Sequence, residues 1–223
     1  RRVLSATDGT HNVYLVASYT KSGATKTDLL RSVDGGAVFT SIYKMGNYQG
    51  DAWCDRAGGS ELFAYGNAGL VRSINAGQSW TTLAKLPIHG TAVELCASEA
   101  GSPRFYAVSH ESSGTRLYRS DNAGSSWTYK KDVSDYWGSL NASLVNPNLV
   151  VWGGVEAWRS TDGGGNFNKV NGWGEYYSAP ATKLHADIPG IDVVSNGAGG
   201  ETWYVSTDGG LFGSYDGLAT VQN

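Results

Sequence analysis

An all-β fold of about five four-stranded antiparallel blades, a β-propeller, is what this sequence predicts, and three observations predict it. A short hairpin motif returns five times along the chain. Its serines, Ser32, Ser73, Ser120, Ser160 and Ser214, lie 41, 47, 40 and 54 residues apart, close to the ~40–50 residue period of propeller blades. The composition agrees, with 31 glycines, 8 Trp and 13 Tyr but only 17% charged residues in 223. Glycine-punctuated, aromatic-rich chains of this kind build sheets.

The repeats align residue by residue. They read Leu30-Arg31-Ser32-Val33-Asp34-Gly35-Gly36-Ala37-Val38-Phe39, Val71-Arg72-Ser73-Ile74-Asn75-Ala76-Gly77-Gln78-Ser79-Trp80, Tyr118-Arg119-Ser120-Asp121-Asn122-Ala123-Gly124-Ser125-Ser126-Trp127 and Trp158-Arg159-Ser160-Thr161-Asp162-Gly163-Gly164-Gly165-Asn166-Phe167. A fifth copy keeps Ser214 and Asp216 but has Leu218 and Val221 at the glycine and aromatic places. Each residue type has a job in a tight hairpin. Asp or Asn accepts backbone N–H groups two residues on, glycine supplies a positive φ, and the Ser hydroxyl bonds across the turn. The closing aromatic (Phe39, Trp80, Trp127, Phe167) covers it. The motif is therefore expected to clip strands together and to touch no ligand.

Strands are expected on either side of each clip. The second blade reads as 51–56, 61–65, 69–73 and 79–83; the third as 92–98, 105–109, 116–120 and 126–130; the fourth as 138–145, 149–153, 155–160 and 166–170. Alternating apolar and polar residues support half-buried antiparallel strands, and turns such as Asn146-Pro147-Asn148 separate them. No helix is expected. The blades run approximately over 1–45, 46–88, 89–132, 133–172 and 173–223, either as a complete ring or as part of a larger one.

The clip motif resembles the Asp-box, or bacterial neuraminidase repeat, of sialidases, sortilin-type receptors, xyloglucan-hydrolysing glycosidases and many bacterial surface proteins. The stretch Thr202-Trp203-Tyr204-Val205-Ser206-Thr207-Asp208-Gly209-Gly210-Leu211-Phe212 is also similar to Asp-box proteins secreted by gliding bacteria. The resemblance implies a propeller and a secreted or cell-surface location. It implies no single activity, because one fold hosts many.

Several classes are excluded or left without support. The net charge of −3 and the lack of a basic stripe argue against nucleic acid. No apolar run approaches the ~20 residues of a membrane span. A sialidase of the resembled family would carry an Arg-Ile-Pro segment near its start, and none is present. No Asp-x-Asp-x-Asp calcium loop appears, Cys54 and Cys96 alone cannot make a metal site, and no cofactor is expected. The two cysteines occupy equivalent places on neighbouring inner strands, bonded or free.

Candidate binding residues come from the loops that enter the inner strands. They are Asp51, Trp53, Tyr136, Trp137, Trp173, Tyr176, His185 and Asp187. Aromatics beside carboxylates and amides suit sugar rings, and a propeller would bring such loops to a common mouth. The function expected is recognition of a glycan or protein by a non-enzymatic module, with other parts of a longer parent chain as further partners. One alternative is a xyloglucanase-like glycoside hydrolase using Asp51 and Asp187, whose two carboxylates would have to stand ~5–9.5 Å apart. A second is an Asp-box assembly factor.

Overall fold

The computed structural model describes residues 2–5, 12–47, 49–54, 60–86, 92–133, 138–197 and 199–223. Nineteen strands and one short 3-10 helix are formed among them. The first sheet holds β1 (Arg2–Ser5), β2 (Val13–Lys21), β3 (Ala24–Ser32) and β4 (Thr40–Gly46). The second holds β5 (Ala52–Cys54), β6 (Leu62–Gly66), β7 (Gly69–Ser73) and β8 (Thr81–Thr82). The third holds β9 (Ala92–Ser98), β10 (Arg104–Glu111), β11 (Gly114–Ser120) and β12 (Thr128–Val133). The fourth holds β13 (Ser139–Ala142), β14 (Val150–Gly153), β15 (Ala157–Ser160) and β16 (Asn168–Lys169).

The fifth sheet has three strands, β17 (Gly190–Ser195), β18 (Glu201–Thr207) and β19 (Gly210–Ser214). In place of a fourth strand, Gly213 and Gln222 exchange N–H···O bonds of 2.7 and 2.9 Å in one antiparallel bridge. Each sheet follows chain order, so strands consecutive in the chain lie side by side within it. This all-β arrangement of successive antiparallel meanders is a β-propeller of several blades.

The chain divides into two compact units, one of residues 1–95, 109–111 and 124–127, the other of residues 96–108, 112–123 and 128–223. The core of the first unit includes Tyr14, Val16, Leu29, Met45, Leu62, Ala64 and Val71. These are the inward members of alternating strands, the periodicity that a pleated sheet requires. In the second unit one cluster gathers Tyr106, Leu117, Val150 and Trp152, and another gathers Leu149, Ile188, Trp203, Val205 and Phe212.

The clips form as hairpin turns, but their bonding differs from expectation. The carboxylate reaches three and four residues on, not two. Asp34 Oδ1 accepts the N–H of Ala37 at 3.1 Å and of Val38 at 3.0 Å, and Asp162 Oδ1 those of Gly165 and Asn166, each at 2.9 Å. The serine does not bond across the hairpin. Ser160 Oγ donates to Asp162 at 2.8 Å and accepts from Gly164 N at 2.9 Å. Ser73 with Asn75 and Gly77, and Ser32 with Asp34 and Gly36, repeat that geometry. Ser120 donates to Asn122 in the third clip, and Ser214 to Asp216 in the fifth. All five serines are buried.

Two consecutive residues adopt positive φ in each clip, where one was expected. They are Gly35–Gly36, Ala76–Gly77, Ala123–Gly124, Gly163–Gly164 and Gly217–Leu218. In the second, third and fourth clips the second glycine meets a side chain of the sheet before it: Ile42 at Gly77, Leu70 at Gly124 and Leu117 at Gly164. Arginines of the motif add further ties in the second unit. Arg119 Nη1 donates to the Gly163 carbonyl at 3.1 Å, and Arg159 Nε to that of Gly217 at 2.6 Å. The clip thus joins neighbouring sheets as well as closing its own hairpin. One closing aromatic shares in this: the Trp80 indole donates to the Ile42 carbonyl at 3.1 Å.

Candidate functional site

The segment between the fourth and fifth sheets, within the second unit, carries most of the candidate binding residues that the structure describes. Where the sequence suggests only a loop, residues Trp173–Ser178 form a 3-10 helix. Its first turn is closed from both sides: Gly172 N–H donates to Glu175 Oε1 at 2.7 Å, and Glu175 N–H to the Gly172 carbonyl at 3.0 Å. Buried Asn171 fixes the base of the segment, with its Oδ1 accepting from Leu184 N at 2.9 Å and its Nδ2 donating to the Leu184 carbonyl at 3.0 Å. A compact loop held this way presents side chains at fixed positions with little ordering left to do on binding.

Four aromatic rings meet there. Tyr176 and His185 stack edge to face with centroids 4.7 Å apart, and Tyr177 meets Tyr176 at 5.5 Å and His185 at 5.7 Å. Trp173 stands against Tyr177 at 6.2 Å with the planes 86° apart. The Tyr177 hydroxyl and His185 Nε2 lie 3.2 Å apart. Trp173 is 52% exposed and Tyr177 67%, whereas Tyr176 is half-buried against the fifth-sheet cluster. The Tyr176–His185 pair is backed by Gly209, where a β-carbon would lie 2.6 Å from His185 Cβ and 3.1 Å from the Tyr176 ring. The result is an outward-facing right-angled corner on a packed base.

Charged groups rim the corner. Lys183 Nζ pairs with Glu175 Oε2 at 2.9 Å, and this ammonium, with the Gly172 N–H, holds the Glu175 carboxyl below its ordinary value. Glu156 Oε1 accepts the Trp173 N–H at 3.2 Å while its other oxygen pairs with Lys169 at 2.6 Å. Asp187 sits at positive φ, 63°. Its N–H donates to the Val155 carbonyl at 2.9 Å, so its backbone anchors the segment to the fourth sheet.

The remaining candidates fall elsewhere. Asp51, read as a ligand-facing carboxylate, is only 8% exposed, and both its oxygens are engaged: Oδ1 by Ala52 N at 2.8 Å and Oδ2 by Leu95 N at 2.9 Å. It ties β5 to β9, as Ser139 ties β13 to the Ile188 carbonyl at 3.0 Å in the second unit. Trp53 is 5% exposed and packs on Phe63 with centroids 5.8 Å apart. These two are core positions, because the first residues of an inner strand are covered by neighbouring sheet here. Tyr136 and Trp137 lie outside the described residues. Tyr177, Glu156 and Lys183 were not among the candidates; Tyr177 follows Tyr176 directly, but nothing local announces the other two.

A second concavity lies in the first unit, a half-open depression of about 250 Å³ lined by Gln49, Ala92, Val93, Glu94 and His110. His110 Nε2 and Glu94 Oε1 are 3.1 Å apart there. Cys54 and Cys96 are both buried. Among the described residues no group of three or more His, Cys, Asp and Glu could hold a metal ion, and no helix is long and apolar enough to cross a membrane.

This is, by fold, a β-propeller protein. No family model and no curated protein sequence matches the chain, but solved structures do. It is similar to the GH74 enzyme of Niastella koreensis, with a TM-score of 0.58 and 20% identity over 98% of this chain and 30% of that one. YCF48 bound to a D1 peptide aligns with a TM-score of 0.53 and 16% identity, over 99% of this chain and 67% of that. An auxiliary nutrient binding protein of Bacteroides thetaiotaomicron aligns with a TM-score of 0.59 and 12% identity, over 99% and 55%. The chain spans less than a third of the GH74 enzyme's length. At these identities the likeness shows the fold alone.

Proposed function

We propose that the chain is a non-enzymatic recognition module of a secreted or cell-surface protein, built on Asp-box repeats, that binds carbohydrate at the Trp173–Tyr177 corner. The observation that carries this reading is the exposure of two large rings, 52% and 67%, set 86° apart on a rigid base. The C–H face of a sugar ring stacks on the electron-rich face of one aromatic while the second meets its edge. Glu175, Lys183 and the Tyr177 hydroxyl stand beside the rings to accept from and donate to sugar hydroxyls. Aromatic anchors with a few converging polar groups are what small-ligand recognition uses. The engagement of Asp51 by two backbone N–H groups supports a module without hydrolytic chemistry. A peptide-bound neighbour and a nutrient binding neighbour are consistent with ligand binding on this fold.

The test is a glycan array followed by titration of the best ligand. Trp173→Ala and Tyr177→Ala should each weaken binding by more than ~1 kcal/mol, the loss typical of an aromatic anchor, with thermal unfolding unchanged. No sugar should be released on prolonged incubation. An array without a single bound glycan, or binding indifferent to both substitutions, would refute the reading.

A further inference from the structure

The contact between Tyr177 and His185 has a fixed polarity. His185 Nδ1 lies 3.2 Å from the Ala186 carbonyl oxygen. A carbonyl oxygen only accepts, so Nδ1 carries a proton. In the neutral ring Nε2 is then a bare acceptor. Its neighbour at 3.2 Å is the Tyr177 hydroxyl, which therefore donates inward to the imidazole. The Tyr177 oxygen is left with lone pairs to offer on its other side. Packing holds the ring in this orientation: Tyr176 meets it edge to face at 4.7 Å, and the Gly209 backbone lies close under His185 Cβ.

The charges around the corner have the same bias. On the elements packed about the imidazole, Glu175 comes from the 3-10 helix and Asp187 from His185's own segment. Asp208 comes from the β18–β19 turn, where its N–H donates to the Ala186 carbonyl at 3.4 Å. Glu156 reaches in from the fourth sheet to the Trp173 N–H. Against these carboxylates stand two ammonium groups, and each is already paired, Lys169 with Glu156 at 2.6 Å and Lys183 with Glu175 at 2.9 Å. Tyr176 and Tyr177 are the other titratable groups facing the ring among the described residues.

We infer that the corner selects uncharged sugars, whose hydroxyls donate to the Tyr177 oxygen, over sugars that carry a carboxylate, and that His185 sets this choice. The inference rests on the carbohydrate reading of the corner. A carboxylate arriving at the Tyr177 oxygen meets lone pairs and a surplus of negative charge, and such repulsion is as much a source of specificity as attraction. Protonation of His185 reverses the contact. Nε2 then donates to the Tyr177 oxygen, the phenol proton turns outward as a donor, and the corner gains a positive charge. Acidic sugars are admitted in that state. His185 is a positioning residue, acting on the sugar through Tyr177.

Nitrogen NMR of the His185 ring reports the polarity without any ligand. The neutral ring should carry its proton on Nδ1, and a proton on Nε2 instead overturns the inference. Binding is tested with methyl glucoside against methyl glucuronide and methyl galactoside against methyl galacturonide, pairs that differ only in a hydroxymethyl group or a carboxylate. The Trp173 indole resonance reads binding across the pH range in which the His185 ring titrates. With the ring neutral, each uncharged glycoside should bind about tenfold more tightly than its uronide, the worth of one hydrogen bond to a charged group. With the ring protonated, that preference should vanish or reverse. His185→Phe should abolish the pH dependence. Tyr177→Phe, which keeps the stacking ring and covers a His185→Phe that fails to fold, should leave only the small part due to the imidazolium charge. A preference that is the same at every pH, or a full pH dependence in Tyr177→Phe, overturns this inference and leaves the carbohydrate reading standing. Silence of the Trp173 resonance toward every probe refutes both.

Discussion

Leu117 fills the space that a β-carbon on Gly164 would need, with only 2.8 Å between that position and Leu117 Cδ2. The glycine also has φ +87°, so it serves two ends at once, a left-handed turn and a close approach of two sheets. Gly36 has the turn requirement alone, at φ +99°. Gly164→Ala should therefore cost ~1–3 kcal/mol more than Gly36→Ala, the usual penalty of overpacking, above a backbone strain of ~1–2 kcal/mol common to both. Urea unfolding of the two variants measures the difference, and equal costs would show that the Leu117 contact yields freely.

Serine is the buried half of the clip. Ser160 is 0% exposed and serves Gly164 N and Asp162 together, whereas Asp162 lies at the surface. Ser160→Ala should cost ~1–3 kcal/mol, the range for stranding buried polar groups. Asp162→Ala should cost nearer ~1 kcal/mol, as for an exposed capping side chain, because water replaces part of what is lost. The order of the two midpoints in chemical unfolding is the measurement.

Acid should loosen the clips. A hydrogen bond from Ser32 holds the Asp34 carboxyl below its ordinary value, helped by the Val38 N–H. The Asn166 N–H and side chain, then Ser160, do the same for Asp162. Burial pushes Asp216 upward, but its bonds from Thr220 and Ser214 outweigh it and leave it lowered. Carboxyls lowered by folding stabilise the native state fully above their unfolded value of ~3.9, and that stability is lost as pH falls through the lower folded values. The melting temperature should thus drop below about pH 4. Asp162→Asn should flatten that slope, since Asn75 and Asn122 already occupy the place in two clips.

Alkali acts on a different group. Burial raises the Tyr106 hydroxyl to about 12, a rise that nearby Arg104 only partly offsets, and the hydroxyl donates to the Pro147 carbonyl at 2.6 Å. An unfolded tyrosine ionises near ~10. This contribution is therefore complete below pH ~10 and lost as pH rises toward the folded value. In a spectrophotometric titration of the 13 tyrosines, Tyr106→Phe should remove a late-titrating component.

Much of the architecture could be read in the chain because the clip is local. Ser160, Asp162 and Gly164 find one another within four residues, so their spacing is visible in one dimension. β7 and β9 occupy the residues expected of them, 69–73 and 92–98. The outer strands are the poorer matches: 79–83 shrinks to Thr81–Thr82 and 166–170 to Asn168–Lys169, since an edge strand keeps only the pairs its single neighbour supports. The corner was legible in part. Trp173, Tyr176, His185 and Asp187 lie within one segment, but Glu156 reaches Trp173 from 17 residues away, and the 3-10 turn has no periodic pattern to announce it.

By itself, then, the sequence determined the repeat, the blade period and which residues make each clip, because those residues lie within a few positions of one another. Their bonding pattern was decided by the folded turn. Which aromatics face solvent was decided only in three dimensions. Trp53 and Trp173 were both expected on segments leading into an inner strand, yet Trp53 lies within β5 and packs on Phe63 at 5% exposure while Trp173 stands out at 52%. A side chain's burial depends on which neighbouring sheet lies over it, and that neighbour comes from a distant part of the chain.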